Sequence, residues 1–286
     1  MSLIKTELRK NYLRSVTNHS DKALIALQSA IVTEKILHVI KSNYALKNIA
    51  VYMAQDQELD TTNLIKELFS LGNKNIFLPI CTNTHITNQD NVLIFPAEHK
   101  PKASPRQHHL IFKQVQTFNE VEALKPTGRF KIREPSIDNK ADDTNNVTIP
   151  HSKLDLVIVP AVILDEITKM RIGYGKGYYD DFIKRFLYNS WKPYHDGSPM
   201  KTLLTIELFK LWKESEFKQS CFLAHKEDVN KQIESYLKLK SEWELANNGK
   251  WFPPLLVGIG LEQQIKHGEV LKEEFHDWEM DLIISS

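Results

Sequence analysis

Cysteine is scarce in this chain. Cys81 and Cys221 are the only two among 286 residues, far apart and outside any CxxC spacing. That excludes a disulfide framework and a cysteine-built zinc site, and it suits a reducing compartment. Charge of one sign is lacking as well: 37 basic and 36 acidic residues leave a formal +1, no footprint for non-specific nucleic-acid binding. No apolar run approaches the roughly 20 residues that span a bilayer, so no membrane segment is expected. The start, MSLIKTELRKNYLRSV, lacks the apolar stretch of a secretory signal, and Glu7 argues against a transit peptide. These absences point to a soluble intracellular protein, cytoplasmic or mitochondrial. The 11 histidines show no HExxH or other metal spacing, and His108 and His109, beside a predicted strand, read as surface or satisfied core groups. Glycine is the last shortage. Of only 10, three fall at alternate positions of RIGYGKGYYDD, from Arg171 to Asp181.

What is present reads as a layered α/β chain. Helices are predicted over 3–17, over 21–42 with Leu24, Leu27, Ile31, Ile36, Val39 and Ile40 as the apolar face, and over 61–71. Strands are predicted at 48–54, 75–80, 109–115, 154–162, 254–260 and 280–285. The strand–helix–strand rhythm indicates a parallel sheet with helices packed on it. The uninterrupted apolar runs LDLVIVPAV and PLLVGIG suggest strands buried on both faces. Residues 136–150, polar and without glycine, read as an exposed loop. Within 190–250 the spacing of Val229, Ile233, Tyr236 and Leu237 predicts one amphipathic helix or two, packed on the main body or offering a partner surface.

The glycine string fails two known phosphate-loop patterns. A Walker A loop needs Ser or Thr after GK, and Gly177 follows Lys176 here; a dinucleotide fingerprint needs a third glycine where Tyr178 stands. The physics common to both patterns remains. Backbone without Cβ atoms turns sharply and lets amide N–H groups approach anionic oxygens. From Tyr178 onward YYDDFIKRFL has helical periodicity, so the loop opens a helix whose N-terminus favours phosphate. Arg171 and Lys176 bracket it with positive charge. The bland alternative is a tight turn into a helix, with Asp180 and Asp181 as first-turn charges and the tyrosines as core.

MRIGYGKGYYDDF resembles the signature of the 5-formyltetrahydrofolate cyclo-ligase family, also called methenyltetrahydrofolate synthetases. Further segments resemble that family in the family's order: KTELRK, YMAQDQELDT, FLPI, GRFKIREP, DLVIVPAVILD, GIGLEQQI and HDWEMDLII. The resemblance covers most of residues 1–187 and 252–286. Ala161 stands where a glycine is usual, and Asp181 where Arg or Ala is common. The resemblance implies a single three-layer α-β-α domain over 1–286, with an open, mostly parallel Rossmann-like sheet and 188–251 as a helical insertion.

It also implies a reaction: ATP and Mg²⁺ drive 5-formyltetrahydrofolate to 5,10-methenyltetrahydrofolate, with phosphorylation of the formyl oxygen before ring closure. Such chemistry needs positioning and charge neutralisation rather than an enzyme nucleophile. By resemblance, Lys5 and Arg9, i and i+4 on one helix face, would meet the polyphosphate together with Arg171, Ile172, Gly173, Tyr174, Gly175, Lys176, Gly177, Tyr178 and Tyr179. Arg171 and Lys176 would carry the catalytic charge. Tyr174 through Tyr178 would also face the folate, with Glu58 accepting the pterin's N–H donors and Met53 forming an apolar wall. Met53 reads equally as a core methionine. Asp180 and Asp277 would hold Mg²⁺. ATP and the folate are the only partners expected, with no nucleic acid or membrane, and a monomer is favoured. Two other readings stay open: a phosphoryl transferase acting on another substrate, and a non-catalytic scaffold that binds a protein through 188–251.

Overall fold

The computed structural model describes residues 3–19, 21–55, 57–85, 106–128, 131–136, 154–183, 229–246, 254–268, 271 and 278–286. Two helices open the chain, α1 (Leu3–His19) and α2 (Lys22–Ser42), followed by β1 (Asn48–Ala50), α3 (Thr62–Ser70) and β2 (Asn75–His85). Then come β3 (Arg106–Val115), α4 (Phe118–Glu122), the short pair β4 (Pro126–Thr127) and β5 (Ile132–Arg133), and β6 (Leu156–Pro160). β7 (Ile163–Asp165) and β8 (Arg171–Ile172) precede a helical stretch at 178–183. The rest is α5 (Val229–Ala246), β9 (Leu255–Gly260), β10 (Ile265–Lys266) and β11 (Leu282–Ser285).

The fold is mixed α/β around a mostly parallel sheet in the order β11-β9-β6-β1-β2-β3, where only β3 runs antiparallel to its neighbour. Every residue of β9 is buried, as are the first four of β6, as their unbroken apolar runs require. Alternate strand residues feed different clusters. Ile49, Ile76, Ile158 and Val257 join the side chains of α2, α3 and α5, while Ala50, Phe77, Val157 and Leu256 meet Phe112, Tyr179, Phe182 and Trp278. Chain order runs outward from β1 through β2 to β3, then restarts on the other side with β6, β9 and β11. The order therefore reverses between β1 and β6, and in open α/β sheets the crevice beyond the carboxyl ends of such strands is where ligands bind.

Several expectations shift in detail. β1 is only three residues long; the Val51 amide still donates to the Phe77 carbonyl at 2.9 Å before the chain enters the loop that carries Glu58. The face of α2 is rotated from the predicted one: Ile25, Val32, Ile36, Val39 and Ile40 are buried, whereas Leu24 and Leu27 are 45% and 60% exposed. Apolar residues lie on more than one side of this helix, so periodicity alone does not choose the face. By length and composition α2 would also cross a membrane, contrary to the expectation of no such run; nine of its residues line the core instead. The loop predicted over 136–150 lies outside the described residues except Ser136. Of the 188–251 segment only α5 is described. It seats Ile233 and Tyr236 in the core, with Val229 and Leu237 packed against it.

At the amino ends of the strands, Asp155 locks this helix to the sheet. One carboxylate oxygen accepts from the Lys47 and Asn48 amides at 3.0 and 2.8 Å, and the other takes Lys240 Nζ at 2.5 Å.

Candidate active site

The loops that leave the carboxyl ends of β1 and β6 face the same region. After β6 the chain turns through β7 and β8, an antiparallel pair with Leu164 opposite Arg171. The intervening turn is closed by Asp165, fully buried, whose carboxylate accepts from the Ile167 and Thr168 amides at 3.0 and 3.2 Å and from Leu271 at 3.2 Å. β8 ends at Ile172, which is core, so the glycine loop starts from a fixed base.

Gly175 and Gly177 have φ of +90° and +70°, the left-handed region that side chains avoid. Gly175 has a second reason to lack a Cβ: one placed there would lie 3.2 Å from the guanidinium carbon of Arg9. Arg9 reaches across from α1 and donates from Nε to the Gly173 carbonyl at 2.6 Å. Lys5, one helical turn earlier, is buried at 8% exposure. Both predicted cations of α1 thus stand on the flank of α1 that meets the loop or is buried, and Lys176 is exposed at the loop's tip.

Arg171 is placed differently from a free phosphate fork. Its Nη2 donates to Asp180 Oδ1 at 2.8 Å, its guanidinium lies 5.6 Å from the Tyr179 ring centroid, and Nη1 backs onto Gly173, 2.8 Å from where a Cβ would sit. It braces the loop from behind. Its Nε is nonetheless buried and has no hydrogen-bond partner among the described residues, and the same is true of the Tyr179 hydroxyl. Buried donors are rarely left unpaired, and both of these are shut off from solvent behind the glycine loop.

Glu58, 5% exposed, faces the loop from the β1 side. Its Oε2 accepts from the Gln55 amide at 2.8 Å, and the Tyr174 hydroxyl is bonded to the same carboxylate. Burial pushes the Glu58 pKa up, with the Gln55 amide and Tyr174 opposing the shift. Burial, then the Glu58 charge, raises Tyr174 strongly, although the residue as a whole is 42% exposed. Tyr52, beneath them, is raised by burial and by Glu58. Glu58 is therefore a fixed acceptor, with no cation paired to it among the described residues. Met53 is 4% exposed and belongs to the main core cluster, the ordinary reading of a strand-end methionine.

For a metal, Asp180 keeps Oδ2 without a described partner, and one or two carboxylates with phosphate oxygens are what Mg²⁺ needs. Asp277 lies outside the described residues; its neighbour Trp278 packs in the same cluster as Tyr179. Among the described residues no group of three or more metal-binding side chains occurs. Sequence reasoning passed over Glu134, Cys81 and Tyr52, which the fold brings to this end of the sheet. The GRFKIREP string held the only signal for Glu134.

Comparison with known proteins agrees with the loop's signature. The sequence model of the 5-formyltetrahydrofolate cyclo-ligase family matches residues 2–205. A 5-formyltetrahydrofolate cyclo-ligase of Saccharomyces cerevisiae is 32% identical over 190 residues, covering 65% of this chain and 80% of the relative. A probable 5-formyltetrahydrofolate cyclo-ligase of Schizosaccharomyces pombe is 28% identical over 191 residues, covering 64% and 75%. The solved structure of a 5,10-methenyltetrahydrofolate synthetase from Mycoplasma pneumoniae aligns with 98% of both chains at 13% identity and a TM-score of 0.49, a likeness on which nothing rests. With its glycine string at the reversal of strand order and a family match across 2–205, the chain belongs to the 5-formyltetrahydrofolate cyclo-ligase family.

Proposed function

We propose that the protein converts 5-formyltetrahydrofolate and ATP to 5,10-methenyltetrahydrofolate, ADP and phosphate. The observation that carries this reading is positional: the loop with Glu58 follows β1, and the β7–β8 hairpin that leads into the glycine string follows β6, its neighbour at the reversal of strand order in the main sheet. The same reading takes the fold as a three-layer Rossmann-like domain with 188–251 inserted in it.

In the proposed mechanism the formyl oxygen attacks the γ-phosphate, turning a poor leaving group into a phosphate ester. The folate nitrogen at position 10 then attacks the formyl carbon, and phosphate departs with the C–O electron pair. The substrate supplies both reacting atoms, so the protein's contribution is placement and charge. The amides of Ile172 to Tyr179 cradle the phosphates, with Lys5, Arg9 and Lys176 adding charge and Arg171 bracing the loop from behind with its own positive charge. Glu58 accepts the N–H donors of the pterin, and Tyr174 and Tyr178 offer ring faces to it. Met53 backs this wall from within the core. Asp180 and Asp277 would hold Mg²⁺, which neutralises charge shared by the phosphate oxygens.

The experiment is direct. Protein, Mg²⁺ and 5-formyltetrahydrofolate are mixed, and the near-ultraviolet absorbance of the methenyl product is followed. A rise that requires ATP supports the reading; no rise refutes it. A phosphoryl transferase with another substrate would hydrolyse or transfer ATP without that absorbance. A scaffold would do neither.

A further inference from the structure

A second carboxylate, Glu134, lies near the end of the loop at Tyr178. β5 runs into a strap of residues 132–136 that crosses the carboxyl end of the sheet. The strap is pinned at three points. Arg133 Nη2 donates to Thr62 Oγ1 at 3.3 Å, at the start of α3. Lys113 Nζ donates to the Ser136 carbonyl at 3.0 Å, and Glu134 Oε2 accepts from the Cys81 amide at 2.6 Å. β1 pairs with β2 only through Phe77, so by Cys81 this edge of β2 has no strand beside it and Glu134 caps the exposed amide.

That amide is the only hydrogen-bond partner of Glu134 among the described residues, and Oε1 is left over. The groups facing the carboxylate are the Cys81 thiol from β2 and the Tyr178 phenol from the glycine loop; the neighbouring cations Arg133 and Lys113 are directed at Thr62 and Ser136. Burial raises the Glu134 pKa against the pull of the Cys81 amide, and the thiol is pushed up to about 12 by burial and by Glu134. A half-buried carboxylate with no cation paired to it among the described residues, beside a glycine loop and with a perturbed pKa, is what functional sites hold. Glu58 differs: both the Gln55 amide and Tyr174 occupy it, and it is almost wholly buried.

We propose that Glu134 is a catalytic residue, the base that removes the proton from the folate nitrogen at position 10 during ring closure. The inference rests on the cyclo-ligase reading above. As that nitrogen forms its bond to the formyl carbon, the C–O bond breaks and its electron pair leaves with phosphate. The N–H proton passes to Glu134 Oε1, which later returns it to solvent. Atoms and charge balance with no further reactant. A carboxylate whose pKa lies above the ordinary range is a stronger base for this transfer at neutral pH.

Glu134→Gln tests the step, because the amide oxygen still caps the Cys81 N–H while basicity is lost. The expected result is a kcat lower by about 10²-fold or more, with KM for ATP and folate within about twofold. Calorimetry should give wild-type affinity for 5-formyltetrahydrofolate. Rapid quench should show one ADP per enzyme formed ahead of a delayed methenyl signal. In the wild type, kcat should fall as pH drops through the raised Glu134 pKa, and this limb should vanish in the variant. Turnover within about threefold of wild type with the limb intact overturns the proposal, leaving the departing phosphate as proton acceptor; so does a raised KM at unchanged kcat. If glutamine unfolds the chain, Glu134→Asp replaces it: a lower kcat that keeps the acid limb supports the base, and loss of the limb overturns it. A wild type that forms no methenyl product overturns the cyclo-ligase reading and this step with it.

Discussion

The two ends of the same parallel strands are built on opposite principles. At the amino ends, Asp155 is held by two amides and a lysine, and each carboxylate oxygen has a partner. At the carboxyl ends, Glu58 and Glu134 are held by amides or a phenol, and among the described residues no cation pairs with either and Arg171 Nε and the Tyr179 hydroxyl go unpaired. Carboxylates held without a cation beside a glycine loop are what a ligand site offers, although unpaired buried polar atoms also occur elsewhere, at Thr33, Asn230 and Ser286. The glycine loop sits at the carboxyl ends, and α5 is fastened at the amino ends.

Mutations should divide along that line. The largest effect is expected from Arg171→Ala, which removes a candidate phosphate donor and leaves Asp180 without its partner. Steady-state assays should show a fall of roughly 10²–10³-fold, and Lys176→Ala, at the exposed tip, should approach it without loss of stability. Unchanged turnover in both would break the charge assignment.

Next is Gly175→Ala. A positive φ and the Arg9 guanidinium 3.2 Å away oppose any side chain there, so activity should drop about 10-fold or more while the circular dichroism spectrum stays native. Wild-type activity would mean that the loop's shape is unimportant.

Glu58→Gln separates function from stability. Folate KM should rise by about tenfold, as expected for a lost charged hydrogen bond. Stability follows the opposite sign. The folded pKa of Glu58 is raised, so its contribution to folding is full below the unfolded value and is lost as pH rises through the raised one. Thermal melts should therefore find the variant equal to wild type in acid and at least as stable at neutral pH. A variant less stable at neutral pH contradicts the assigned cause.

The smallest catalytic effect belongs to the amino ends. Lys240→Ala should cost about 1–2 kcal/mol, since the pair is mostly but not fully buried. Melting should drop by a few degrees, with kcat unchanged. A loss of kcat would join α5 to the chemistry.

How legible this was depended on length and periodicity. β6 and β9 could be read because five or six consecutive apolar residues leave no other reading. The glycine string could be read because its neighbours on the chain are also its neighbours in space. β7, β8 and β10 could not: two or three residues carry no period, and their pairing is decided by Asp165 and the backbone around it. The partnership of Arg171 with Asp180 is hidden in the sequence because the family resemblance implies a separate ligand for each, phosphate for one and Mg²⁺ for the other. Glu134 was hidden because its importance comes from the unpaired edge of β2, 53 residues away.

Hydrogen exchange with and without ATP and Mg²⁺ reads both ends of the strands in one experiment. Slowed exchange confined to amides 171–181, with 229–246 unchanged, is the predicted result. Equal exchange at the loop in the two samples, or slowing centred on 229–246, would contradict the account.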